Sequence, residues 1–390
     1  MLDGRPEGSI NTPAHQNTAR RVAEEAVVLL KNEGGALPLD ASKIKTLAVI
    51  GENATRLQAC GGDSSRIKAF YEISPLQGIL NRVGNHVNVT FSAGYSTSGD
   101  AEVSPDANLA ANAVAAAKAA DVVIYIGGLN HDRGGDTEGS DRTTLALPAG
   151  QAGLIRKIVR ANPRTVVVLV GGSPMEMDPW LAGVPAVLLS WYSGMEGGNA
   201  IARILFGDVN PSGKLPCTFP KKLEDSPAHA LRAYPGSGGV VKYEEGLLVG
   251  YRWYDARKIE PLFSFGHGLS YTTFQYSGLK TSASKLARNG SITVSVDVRN
   301  TGKRAGDEVV QLYAQHLQSA MERPVKELKG FQRVSLKPGE RKTVKIPLRA
   351  KSLAYWNEDT HAFTVENGRI NLMVGGSSAD IQLRKTIEVE

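Results

Sequence analysis

Five short apolar runs constrain the first half of the chain more than any other feature: "TLAVIG" from Thr46, "NVTFSAG" from Asn88, "DVVIYIGG" from Asp121, "TVVVLVGG" from Thr165 and "AVLLSW" from Ala186. A run that is apolar at successive positions has no wet face, so as a strand it needs cover on both sides. A parallel sheet between helices gives that cover. Helical periodicity lies between the runs, over Asp106 to Ala120 and Ala149 to Ala161. The expected fold is α/β. Four runs end in small residues followed by loops, "GENAT", "GGLN", "GGSP" and "SWYSG", and open α/β sheets bind ligands beyond the carboxyl ends of their strands.

Before the first run, Ala14 to Gly35 carries Ala19, Val22, Ala23, Ala26, Val27 and Leu30 at helical spacing, with Gly34 and Gly35 as a stop. This predicts one amphipathic helix leading into the sheet.

Beyond Phe274 the period drops to two. Ser291 to Asn300, Glu308 to Gln315, Arg341 to Leu348, His361 to Gly368 and Arg369 to Gly376 alternate, and "NTGKRAGD", "KPGE" and "ENG" separate them. They predict an antiparallel β-sandwich of about 110 residues. Ala228 to Gly268, rich in Gly, Tyr and Pro, reads as an extended connecting segment. A chain of 390 residues has room for two such folds.

The totals exclude several classes. No apolar run reaches the roughly 18 residues of a membrane span. The net charge of +6 is spread over scattered Lys and Arg, with no basic run of the kind that grips nucleic acid. Cys60 and Cys217 are far apart and signal neither a disulfide framework nor a metal site. No phosphate-binding glycine motif, HExxH or serine-hydrolase elbow occurs. The N-terminus shows no secretory signal pattern.

The remaining candidate for chemistry is "DTEGSDR", Asp136 to Arg142, in the longest loop after a predicted strand. Three carboxylates and a guanidinium in seven residues fit either a solvated loop held by an Asp136–Arg142 or Asp141–Arg142 contact or a catalytic carboxylate. Spacing alone leaves both open. Glu196, beside Gly197 and Gly198, reads as a helix-start residue that satisfies amide donors, and His267 among aromatics as a packed group.

Several separated stretches, among them "HQNTARRVAEEAVVLLKNEGGALPL", "CGGDSSRI", "GGLNHDRGGDTEGSDRTTLALPAGQAGLI", "GMEGGNAIARILFGDVNPSGKLPCTFP", "PLFSFGHGLSYTTFQY" and "RPVKELKGFQRVSLKPGE", resemble in order and spacing the C-terminal part of a family 3 glycoside hydrolase of the β-glucosidase type. The resemblance implies a six-stranded, mostly parallel α/β sandwich followed by a fibronectin type III-like β-sandwich. The implied divisions are a linker over 1–13, the α/β sandwich over 14–222, a connector over 223–273 and the β-sandwich over 274–390.

In that family a (β/α)8 barrel precedes these folds and carries the nucleophilic aspartate in an S-D-W type motif, which this sequence lacks. The resemblance assigns the general acid/base to Glu138, in an "EGxDR…LxLP" pattern. It places Ser64 and Asp63 of the glycine-rich loop near the sugar, Asp63 standing where glycine is common, and Asp141 and Arg142 as supports of the Glu138 loop. The implied substrate is a β-glucoside or oligosaccharide, with β-xyloside as the alternative. The implied partner is the barrel, in cis or in trans. No metal or organic cofactor is implied, nor is a nucleic-acid or membrane partner; oligomeric state and compartment stay open. Retaining hydrolysis needs two carboxyl groups about 5–5.5 Å apart, of which Glu138 would be one. The reading from another class is a carbohydrate-binding or assembly module without catalysis.

Overall fold

The computed structural model describes residues 8–57, 59, 64, 67–97, 106–131, 135–138 and 141–390. The chain divides into two compact units, 1–213 and 214–390.

The first unit is a six-stranded sheet flanked by helices. Its strands are β1 (Val28–Asn32), β2 (Thr46–Ile50), β3 (Asn88–Ser92), β4 (Val122–Gly128), β5 (Thr165–Val170) and β6 (Ala186–Leu189). They lie in the order β1-β6-β5-β4-β2-β3, with β1 antiparallel to β6 and all other pairs parallel. Helices α1 (Pro13–Ala26), α2 (Pro75–Val83) and α6 (Gly197–Leu205) pack as one group; α3 (Ala107–Ala119), α4 (Gln151–Ala161) and the short α5 (Asp178–Leu181) form another. Every residue of β4 and β5 is buried, which is why these runs carry no polar alternation. Each fully buried Val, Leu or Ile contributes about 1.5–3 kcal/mol of transfer free energy.

Helix starts follow local chemistry. Thr12, Ser74 and Asp106 each accept a backbone N–H of the first turn through the side chain, and Pro13 and Pro75 open their helices without losing a needed donor.

The N-terminal helix is shorter than its periodicity suggests. It stops at Ala26, and Val28–Asn32 is the edge strand β1. Val27, Val28, Leu29 and Leu30 are all buried, whereas Val22, placed on the apolar stripe, is 63% exposed. Four consecutive apolar residues cannot share one helix face, but they fit a strand covered on both sides.

The second unit contains a β-sandwich. Its strands are β7 (Phe274–Thr281), β8 (Lys285–Leu286), β9 (Ser291–Asn300), β10 (Gly306–His316), β11 (Glu327–Leu336), β12 (Arg341–Arg349), β13 (Tyr355–Asn357), β14 (Ala362–Thr364), β15 (Gly368–Gly375) and β16 (Ile381–Val389). One sheet runs β11-β10-β15-β16-β8 and the other β12-β9-β7. Val294, Val296, Val298, Leu312, Leu348, Leu372 and Val374 interdigitate between them. The strand expected over His361 to Gly368 is not part of either sheet: Ala362–Thr364 pairs with Tyr355–Asn357 in a separate two-stranded ribbon.

The segment before the sandwich is less extended than its composition implies. It holds α7 (Pro227–Ala230) and α8 (Tyr251–Arg257), and it packs on the sandwich. The Tyr251 ring stacks on Phe265 and meets Tyr313 edge-on, its hydroxyl accepts Leu328 N–H at 2.8 Å, and Asp255 pairs with Lys326 at 2.5 Å. His267 stacks on Phe263 within the same segment.

Candidate active site

The chain leaves β2 toward β3 on one side and passes β4 on the other, so the strand order reverses between β2 and β4. Such a switch point opens a crevice at the carboxyl ends of the strands. Ser64 lies in the loop after β2 and Glu138 in the loop after β4, and the two meet across this crevice.

Ser64 donates its backbone N–H to Glu138 Oε2 at 3.0 Å, and its hydroxyl donates to the same oxygen. Both residues are exposed. Two donors on one carboxylate oxygen favour the ionised form, so the Glu138 carboxyl is held below its ordinary value, chiefly by the Ser64 hydroxyl and then by its N–H. In this state Glu138 is a proton acceptor.

The roots of both loops are fixed by backbone contact. Gly51, just after β2, has φ +123° and lies so close to Ile126 that a Cβ would sit 1.9 Å from its carbonyl oxygen; Gly128, at the end of β4, has φ +113° and would place a Cβ 2.1 Å from Val170 O. Only glycine fits at either point. The carboxamide of Gln151, fully buried at the start of α4, then closes the strand: its Oε1 accepts Gly128 N–H and its Nε2 donates to Gly128 O, both at 2.8 Å. Side chains continue the anchoring, with Asn53 donating to Leu129 O at 3.0 Å and Asn130 to Thr97 Oγ1 at 2.8 Å. Thr97 is held in turn by Glu52, which also pairs with Arg56 at 2.6 Å.

The Glu138 loop is gripped on both sides of the glutamate. Asp136 accepts Gly172 N–H at 2.6 Å, the Ser173 hydroxyl at 2.5 Å and the Tyr192 hydroxyl at 3.2 Å. Arg142 donates to Ser173 Oγ at 2.9 Å and Pro174 O at 3.0 Å, and its guanidinium is 3.9 Å from Asp136. Both side chains are nearly buried, at 12% and 13% exposure, so their opposite charges are weakly screened. Burial pulls the Arg142 pKa down and Asp136 opposes that shift. The Tyr192 hydroxyl is pushed well up, by burial first and Asp136 second. Behind them the His131 ring lies 3.9 Å from the Tyr192 ring, with Nδ1 2.8 Å from Asp136 O.

A family model, the glycosyl hydrolase family 3 C-terminal domain, matches residues 27–271. The chain belongs to glycosyl hydrolase family 3. A fibronectin type III-like domain matches residues 308–378 of the sandwich. A beta-glucosidase of Bacteroides ovatus is 42% identical over 98% of this chain and 53% of its own length. A beta-xylosidase of Formosa agariphila is 39% identical over 94% of this chain and 49% of its own. Among solved structures, the family 3 beta-glucosidase of Bifidobacterium adolescentis superposes with TM-score 0.90 at 37% identity, over 99% of this chain and 55% of that one. The chain thus spans about half the length of the curated family 3 relatives it matches.

Of the residues singled out by sequence in this family 3 chain, Glu138 and Ser64 are brought together, and Asp136 and Arg142 form the buried clamp. Asp141 is exposed beside it. Asp63 and Cys60 lie outside the described residues. Cys217 is a free thiol. Glu196 precedes α6 without capping its amides: its carboxylate accepts the Tyr71 hydroxyl at 2.6 Å and Asn199 Nδ2 at 2.8 Å, and burial with this contact pushes Tyr71 up to about 12. Ser173, Tyr192 and His131 were not singled out. The only signal they gave was position, since "GGSP" holds Ser173, "SWYSG" holds Tyr192 and "GGLN" directly precedes His131, all after strands at the same end of the sheet.

Proposed function

We propose that this chain supplies the general acid/base of a retaining β-glycosidase, with Glu138 as the proton-transferring carboxyl. The observation that carries this reading is the placement of an exposed glutamate over the switch-point crevice, on a loop clamped at Asp136 and Arg142. The nucleophilic aspartate belongs to a (β/α)8 barrel, joined in cis or supplied in trans. In the first step that aspartate attacks the anomeric carbon while Glu138 delivers its proton to the departing oxygen; in the second, water attacks the glycosyl-aspartate and gives its proton to Glu138. The proposed sugar contacts are Ser64 and Asp63, and the proposed support of the loop is Asp141. The proposed substrate is a terminal β-glucoside, in line with the named relatives, and a β-xyloside is the alternative. The proposed divisions remain 1–13, 14–222, 223–273 and 274–390.

Donation at neutral pH requires a raised carboxyl pKa, and a neighbouring nucleophilic carboxylate raises it. The Ser64 contact acts in the opposite direction, so it must loosen when the barrel's carboxylate arrives. A carbohydrate-binding or assembly module without catalysis is the reading favoured if Glu138 keeps its lowered pKa in the assembled protein.

The test is Glu138→Ala in the enzyme complete with its barrel. Aryl glucosides with acidic leaving groups should still glycosylate the enzyme, alkyl glucosides should fail, and azide should restore turnover and give a β-glycosyl azide. A wild-type ratio between alkyl and dinitrophenyl glucosides would remove Glu138 from the role. The 390-residue chain alone should not hydrolyse aryl β-glucosides; turnover abolished by a substitution within it would overturn the two-carboxylate assignment.

A further inference from the structure

The second unit holds a cavity of about 460 Å³ that the hydrolytic chemistry does not use. The ribbon β13/β14 forms one wall, where Trp356 and Phe363 meet edge to face at 5.3 Å and are 49% and 75% exposed. Tyr355, Arg252, Glu322 and Glu358 also line it. We infer that this cavity is a carbohydrate-binding site, separate from Glu138, that takes a short neutral β-linked oligosaccharide.

Three features select that ligand. The first is the aromatic pair: two large rings remain about half or more exposed on a two-stranded ribbon, and their π-faces suit the polarised C–H groups on the apolar face of a pyranose. The second is rigidity. The Arg323 side chain, 8% exposed, lies 4.9 Å under the Tyr355 ring, donates to Leu353 O at 3.2 Å and pairs with Glu366 at 3.5 Å, so the inner wall is ordered before a ligand arrives.

The third feature is charge. Arg252 is paired with Glu327 at 3.4 Å and Arg323 with Glu366, which leaves Glu322 and Glu358 as exposed carboxylates at the cavity. Carboxylates are acceptors only and match the O–H groups of a sugar. They disfavour a phosphate or an acidic peptide by repulsion, and an apolar protein face would strand them without water. The volume falls in the ordinary range of small-ligand pockets, about 300–1,000 Å³.

The choice of a sugar rests on membership of the glycosidase family but not on the role of Glu138. The test is titration of the 390-residue chain with cellotetraose and xylotetraose, read by calorimetry and by the Trp indole N–H signals. Saturable binding is expected, weakened at least tenfold by Trp356→Ala and by Phe363→Ala, with unchanged circular dichroism, and kept in Glu138→Gln. Both substituted residues are exposed, so the fold should tolerate their loss. Absence of saturable binding, or equal binding by wild type and both variants, overturns the site. Loss of binding in Glu138→Gln with retention in Trp356→Ala places the sugar at the crevice and also overturns it. Self-association that the same two variants abolish assigns the cavity to a second copy of the chain, with the same consequence for the proposal.

Discussion

Ser64 gives two donors, its N–H and its hydroxyl, to a single oxygen of Glu138. The contact joins loops that leave the sheet on opposite sides of its switch point, and it holds the exposed Glu138 carboxyl below its ordinary pKa.

Ser64→Ala should therefore raise the Glu138 pKa toward the ordinary glutamate value while leaving part of the depression, because the N–H remains. The sign also fixes the pH behaviour. A lowered carboxyl stabilises the contact above its unfolded pKa and loses it as pH falls through the folded value. Carboxyl-carbon NMR titration of the isolated chain reads both effects; an unchanged midpoint in Ser64→Ala would show that Ser64 does not control the charge.

Asp136→Ala should cost about 2–4 kcal/mol, because it leaves the Gly172 N–H, the Ser173 hydroxyl and a nearly buried Arg142 without their carboxylate. Arg142→Ala removes the other half of the same clamp, so the double substitution should cost less than the sum of the two by at least about 1 kcal/mol. Urea denaturation measures all three; strict additivity would mean that the two residues act independently.

Gln151→Leu keeps the volume but removes both partners of Gly128. A buried donor and a buried acceptor are then unmet, for a loss of about 2–4 kcal/mol. Hydrogen exchange at Gly128 should rise with it. An unchanged denaturation midpoint would show that water replaces the carboxamide.

His316, half-buried at the end of β10, has its pKa pushed down to about 4, by burial first and the Arg323 charge second, with Glu366 and Glu327 opposing. Its unfolded form takes up a proton near pH 6.5, so between there and about 4 the unfolded state binds more protons and acidification destabilises the sandwich. The loss is about 1–2 kcal/mol after discounting for solvent at the ring. Glu308, raised by burial, works with the opposite sign. The difference between wild type and His316→Gln across this range isolates the histidine; parallel stability curves would contradict the assignment.

The parallel strands were legible because Val122–Gly128 and Thr165–Val170 are apolar at nearly every position, a pattern with few structural solutions. The edge strand was not, because Val27 to Leu30 continue the spacing of α1 and a four-residue apolar run does not distinguish helix from strand. At the site, Glu138 and Ser64 were reached through motif resemblance, and their contact only through topology, since 74 residues separate them. The partners of Asp136 lay further out of reach. Ser173 and Tyr192 carry no charge and sit in loops 37 and 56 residues away, and only the strand order brings them beneath the acidic stretch. The ribbon β13/β14 alternates as a sandwich strand does, and nothing in its period says that it pairs outside both sheets.

Gly51 and Gly128 have a mechanical consequence. Each loop is built into the sheet at its root, like a beam set in masonry, because the glycine backbone presses on the carbonyl of the neighbouring strand. The two beams touch at their tips, Ser64 on Glu138. A load at the tips is taken up by the clamps at Asn130, Asp136 and Arg142 before it reaches β4. Substitutions at Thr137 or Glu138, between those clamps, should therefore leave the register of the sheet beneath unchanged, so that loop sequence and fold vary on separate parts of the same chain.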